Sequence, residues 1–251
     1  MSLAGFNHLV KRDLLRMVRQ PARIVASVGT PALLGLFLAS GFSKGLSPGG
    51  GSYGQYLLPG MVVMVVLFSS IFSAISLIDD REKGVLQGII VSPMRWRAIA
   101  IARLTGASIV AGLQALVLVG IGLATGSAHV TAHLPFALIA IALVSVGTTG
   151  IGLALAWIVN SKEGFHGIMN LVLMPMWLLS GSFFGRDSAT GWLDLIMILN
   201  PLTHATDALR WSLGGPGEIT VWTWVIAGAF ALGGTLLTTE AIGRPPKPGS
   251  M

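Results

Sequence analysis

Long apolar blocks without a single Asp, Glu, Lys or Arg alternate along the chain with short polar segments; the blocks cover 24–42, 56–78, 104–125, 134–159, 164–184 and 219–239. Each is near or above the roughly 20 residues that carry an α-helix across a bilayer. None shows the period-2 alternation of a membrane strand, so the backbone of each must satisfy itself as a helix. The pattern predicts an all-α, polytopic bundle of six transmembrane helices, organised as one domain over 1–251.

The polar segments carry patterns of their own. Within 1–23, Leu3, Phe6, Val10, Leu14 and Met17 recur at helical spacing, and Arg12, Arg16, Arg19 and Arg23 form a second stripe of the same period. This predicts an interfacial amphipathic helix whose basic stripe meets anionic headgroups or an acidic partner. Between the second and third blocks, 79–97 opens on the charged island Asp79-Asp80-Arg81-Glu82-Lys83 and closes on Ser92-Pro93-Met94-Arg95-Trp96-Arg97. Val85, Leu86, Ile89 and Ile90 lie between, at i, i+1, i+4 and i+5, and predict a short helix with one dockable face in a loop held at a membrane surface. Between the fifth and sixth blocks, a short apolar piece at 192–199 runs into Asn200 and Pro201, followed by Asp207, Arg210 and Trp211. Each piece is too short to span, which predicts two short re-entrant or surface helices with Trp192 and Trp211 at headgroup level. The glycine-rich segment 43–55 reads as a flexible turn, and 240–251 as a polar tail.

Composition agrees with a membrane protein: 53% hydrophobic, 10% charged, mean hydropathy +0.78, against about 25% charged for soluble domains. Thirteen of the sixteen Lys and Arg fall on one side of the six-span scheme. Only Lys44, Arg186 and Arg210 fall on the other, so the positive-inside rule places both termini and the island in the cytoplasm. The net charge of +6 follows from that topology and gives no reason to expect nucleic acid as a partner. The sequence begins on a basic amphipathic segment with no short apolar core and cleavage site behind it, so no cleaved signal peptide is expected.

Little in the chain can do chemistry. Cysteine is absent, which excludes disulfides and thiolate metal sites. No phosphate-binding Gly-rich loop, zinc-protease or nucleophile-elbow motif occurs, so no catalytic residue and no cofactor of its own is expected. Only His129 and His133 share a helical spacing, and this pair is a weak candidate for a metal. The expected spans lack the buried ionisable groups that ion-coupled carriers use; a protein of this kind that moves something must borrow its energy. Met61, Met64, Phe68 and Phe72 on the second span and Met169, Met174, Met176, Trp177 and Phe183 on the fifth offer soft apolar surfaces suited to greasy substrates, or to ordinary helix packing. Pro175 predicts a bend in the fifth span.

These parts, taken in order, resemble the membrane subunit of an ABC-2-type exporter, and most of all the daunorubicin-resistance type of permease. The resemblance rests on the basic N-terminal helix, Leu57-Leu58-Pro59-Gly60, the run 80–87 with Ser92-Pro93 behind it, and Leu199-Asn200-Pro201-Leu202-Thr203 with Asp207-Ala208-Leu209-Arg210. Aspartate stands at 80 where the family pattern leads one to expect glutamate. The resemblance implies a multi-pass protein of a bacterial cell membrane, paired with a second permease subunit, identical or related. It implies two copies of a separate ABC ATP-binding subunit, which bind the ATP and magnesium. The loop at 79–97 becomes the coupling helix, with Asp80, Arg81, Glu82, Val85, Leu86, Ile89, Ile90 and Arg95 facing the ATPase. The expected cargo is an amphipathic drug, lipid or lipid-linked glycan moved outward. Export of a cell-envelope polysaccharide, or a non-transporting anchor or sensor for an ATPase, remain alternatives.

Overall fold

Val62, Val63, Val65 and Val66 are all fully buried, with Met64 between them buried as well, so the helix that carries them is enclosed on every side. In the computed structural model, which describes residues 3–42, 52–84, 95–159, 161–186, 189–215, 217 and 219–242, this is helix α3, Tyr53–Glu82. It starts on a reciprocal capping box, in which Ser52 Oγ accepts from Gln55 N and Gln55 Oε1 accepts from Ser52 N. Around it run α1 (Leu3–Val18), α2 (Pro21–Phe42, with a π-helical turn at Val25–Gly29), α4 (Trp96–Ala124), α5 (Leu134–Val159) and α6 (Lys162–Trp177). The short α7 (Gly191–Leu199) and α8 (Pro201–Ser212) and the final α9 (Val221–Ile242) complete the described chain.

Among the described residues five helices, α2, α3, α4, α5 and α9, are long and apolar enough to cross a membrane. The expected fifth span is divided. Pro175 lies near the end of α6, and the chain continues as a π-helical turn, Leu178–Ser182, that breaks at Gly181 with φ +74°. Together α6 and this turn run roughly 30 Å at 1.5 Å per residue. They begin at Lys162, bonded to Asp79 and Glu82, and reach Trp177, whose indole N–H donates to the Gly60 carbonyl at the opposite end of α3. The divided segment, α6 and its turn, therefore runs alongside α3, from its charged end toward Gly60. Both described chain ends gather at the end that carries 79–82, because Arg16 of α1 pairs with Asp80 and Glu240 of α9 pairs with Arg97.

Close helix approach depends on small residues. Gly150 of α5 faces the backbone of Gly234 on α9, with Thr238 Oγ1 donating to the Gly150 carbonyl at 2.8 Å. A Cβ at Gly150 would overlap the Gly234 carbonyl, and backbone on both sides cannot yield. Gly150→Val is expected to cost about 3 kcal/mol or more as an overpacking change. The control is Gly233→Val, at a position with open space around it; thermal unfolding of the two variants in detergent should separate them clearly.

Candidate functional site

The charged island corrects one expectation. Residues 79–82 are not loop but the last turn of α3. The apolar run ends where a bilayer would end, whereas the helix continues because its charged side chains have partners on α1, α2, α4, α5 and α6. The segment 85–94, with Val85, Leu86, Ile89 and Ile90, lies outside the described residues.

At the centre is Asp80, 4% exposed. Its carboxylate accepts from Arg103 of α4, from Arg16 at 3.0 Å and from Arg12 at 3.2 Å. Arg103, itself buried, also donates to Asp13 at 3.2 Å, and Gly106 one turn along α4 leaves room for Asp13 and the α1 backbone. Asp79 pairs with Lys162 at 2.8 Å and with Arg23 at 3.6 Å, and Lys162 reaches Glu82 at 2.7 Å. Arg81 turns the other way. It donates to the Trp157 carbonyl at 3.0 Å and lies 4.5 Å from the Trp157 ring centroid, which satisfies an orphan carbonyl at the end of α5. Buried charges persist only when paired and hydrogen-bonded, and here the pairing joins α1, α2, α3, α4 and α6 into one lattice.

The N-terminal basic stripe thus finds its acidic partners inside the chain: Arg12 and Arg16 of α1 reach Asp80, and Arg23 at the start of α2 reaches Asp79. Arg19 is exposed and makes no ion pair among the described residues. Glu82 is exposed at the rim, as are Lys83, Arg95 and Arg97 where the chain leaves α3 and enters α4. Asp13 and Arg103 carry as much of the lattice as the residues the sequence pointed to. The available signal was Asp13, the one acidic residue of the N-terminal amphipathic segment.

The opposite end is tied by a second device. The turn after α6 leaves carbonyls without intrahelical donors, and α8 supplies them from one face. Asn200 donates to Met176 O at 2.5 Å, Thr203 to Leu179 O at 3.1 Å and Arg210 to Gly181 O at 2.6 Å. Tyr56 Oη also donates to Gly181 O at 3.1 Å, and the Arg210 guanidinium lies 4.3 Å from the Tyr56 ring centroid. Asn200 caps α8, where its Oδ1 accepts from Leu202 N, and Pro201 fills the first helical position. Asp207 holds Arg210 at 2.9 Å; burial raises its carboxyl above the ordinary carboxylate range, against the pull of the Arg210 charge. The two predicted short helices are present as α7 and α8, with Trp192 exposed on α7 and Trp211 stacked on His133 at 4.0 Å. His129 instead contacts Gln55 at 2.8 Å, and no metal-binding group occurs among the described residues.

Of the Met and aromatic positions, Met64, Phe68, Met169, Met174 and Trp177 line one apolar groove between α3 and α6, with Asn170 at its edge. Met61 packs instead under Gly35 of α2, and Phe72 lines a different cavity beside α1.

A bundle of long apolar helices whose charges are confined to its ends is the architecture of a membrane permease domain. The chain belongs to the ABC-2 type transporter family, whose model matches residues 4–213. It is 29% identical to the ycf38 transport permease of Porphyra purpurea, over 81% of this chain and 72% of that protein. It is 24% identical to the daunorubicin resistance ABC transporter permease protein DrrB1 of Streptomyces coeruleorubidus, over 79% of this chain and 71% of that one. The inner membrane transport permease YhhJ of Escherichia coli K12 is 27% identical over 69% of this chain and 47% of its own length.

Proposed function

We propose that this chain is the permease subunit of an ATP-driven exporter of amphipathic drugs, lipids or lipid-linked glycans, energised by a separate ABC ATP-binding subunit. The observation that carries the reading is the lattice around Asp80. The coupling segment 85–94 joins two helix ends: the end of α3 is bonded to α1 through Asp80, to α2 through Asp79 and to α6 through Asp79 and Glu82, and the start of α4 is bonded to α1 through Arg103 and Asp13. A push delivered there by ATP-driven closure of the partner would move these five helices as a unit. In this scheme Glu82, Arg95 and the apolar residues of 85–94 face the ATPase, while Asp80 and Arg81 transmit its motion into the bundle.

The six passes then cross a bacterial cell membrane, with both termini, the lattice and the ATP-binding subunits on the cytoplasmic side and α7 and α8 on the other. Helix α6 supports pairing with a second permease subunit. It buries only the stripe Phe165, Met169, Leu173 and Trp177, and leaves His166, Gly167 and Asn170 exposed on an otherwise apolar helix. Polar groups facing lipid are costly, whereas small and polar residues suit a helix–helix contact. The groove at Met64, Phe68 and Met174 beside that face gives an amphipathic molecule an apolar lining.

The test is ATP hydrolysis by the reconstituted complex with and without amphipathic compounds, together with uptake into inverted vesicles. Stimulated hydrolysis and uptake are expected, and Glu82→Ala should leave basal hydrolysis intact while uptake falls several-fold. A complex that hydrolyses ATP at one rate whatever compound is added, and transports none of them, would refute the export reading.

A further inference from the structure

Beside α1, a cavity opens between the start of α2, α3 and α4, and its polar lining is dominated by hydrogen-bond donors. Three guanidinium groups, Arg16, Arg23 and Arg103, face it against one carboxylate, Asp13. Arg16 uses only Nη1, on Asp80 and Ser76, so its Nε and Nη2 have no partner among the described residues. Arg23 reaches Asp79 only at 3.6 Å. Deeper along α3 and α4, the lining continues with Ser69, 2% exposed, whose hydroxyl has no partner among the described residues, and with Gln114, which accepts from Ser27 at 2.9 Å and whose amide nitrogen has none among them. Phe72 and Leu153 supply apolar wall. A buried hydroxyl without a partner is costly, and a guanidinium holds more donors than this one uses.

We infer that this cavity is a binding site for the phosphodiester headgroup of an anionic phosphoglyceride. The phosphate sits at the arginines, the deeper ester carbonyls accept from Ser69 and Gln114, and the acyl chain leaves along the apolar wall. Arg–phosphate pairs are charge-assisted and often bidentate, so a single lipid would bridge α1, α3 and α4 beside the lattice. The inference rests on the membrane setting of the bundle and not on transport, so it stands or falls apart from the proposed function.

The test is native mass spectrometry of the delipidated full-length chain, titrated with phosphatidylglycerol, phosphatidylcholine or inorganic phosphate. Retention of phosphatidylglycerol should exceed that of phosphatidylcholine by about tenfold or more, as expected for one charge-assisted contact, and millimolar phosphate should not displace it. Ser69→Leu, which fills the deep end without touching an ion pair, should abolish the preference; Gln114→Leu provides the same test should Ser69→Leu not fold. Lys11→Gln with Arg19→Gln, on the outer basic face of α1, should leave it unchanged. Equal retention of the two lipids overturns the proposal, as does a preference lost only in the outer-face variant. Displacement by inorganic phosphate would reassign the cavity to a free anion.

Discussion

Asp80→Asn is expected to lower the stability of the chain by about 3–5 kcal/mol, the usual cost of removing one partner from a buried ion network. Three arginines converge on this carboxylate, and Arg103 has only Asp13 to fall back on. The consequence should be local as well as global. Helix α1 packs chiefly on α4, so losing Asp80 should raise hydrogen exchange in α1 before the rest of the bundle opens. Asp79→Asn provides the contrast. Its partners Arg23 and Lys162 are about a third exposed, and the same change there should cost about 1 kcal/mol. Thermal unfolding in detergent, with exchange measured over 3–18, checks both; equal effects at 79 and 80 would show that the lattice has no centre.

At the other end, Arg210→Leu is expected to cost about 3 kcal/mol, because it removes charge-assisted bonds to Gly181 and Asp207 together with the contact over Tyr56. Arg210→Lys should recover only part of this, since an ammonium keeps the charge but loses the planar fork that reaches both acceptors and stacks on the ring. The loss should concentrate in the π-helical turn at Leu178–Ser182. Rapid exchange there with α3 still protected is the predicted signature; an unaltered turn in Arg210→Leu would mean that Asn200, Thr203 and Tyr56 suffice.

How much of this was legible in the sequence differs between the two ends. The apolar blocks located the five long apolar helices α2, α3, α4, α5 and α9, because burial in lipid and burial in a helix bundle demand the same composition. They could not show where α3 ends. Asp79 and Asp80 mark the limit of the apolar run, but the helix extends through them on ion pairs to residues distant in sequence, such as Arg12 and Arg103. The periodicity of α1 was visible, yet which stripe faced inward was not: a basic stripe meets a membrane or a buried carboxylate with the same spacing. At the far end, Asn200 and Pro201 announced a helix start and Arg210 an isolated charge. That all three belong to one capping arrangement depended on Gly181, whose positive φ appears only in the folded chain. Pro175 marked a bend in the fifth span, but α6 runs on through it and the non-helical residue is Gly181.

The central claim is that the segment joining α3 to α4 couples this bundle to an ATP-binding subunit. The most direct measurement is co-purification of the detergent-solubilised chain with that subunit, comparing the unaltered chain with one in which Glu82 and the apolar positions of 85–94 are replaced. The unaltered chain should capture the ATPase stoichiometrically and the altered one should lose it, with Asp80 and its lattice intact in both. A folded, stable chain that retains the ATPase regardless of this segment, or never binds one, would contradict that claim.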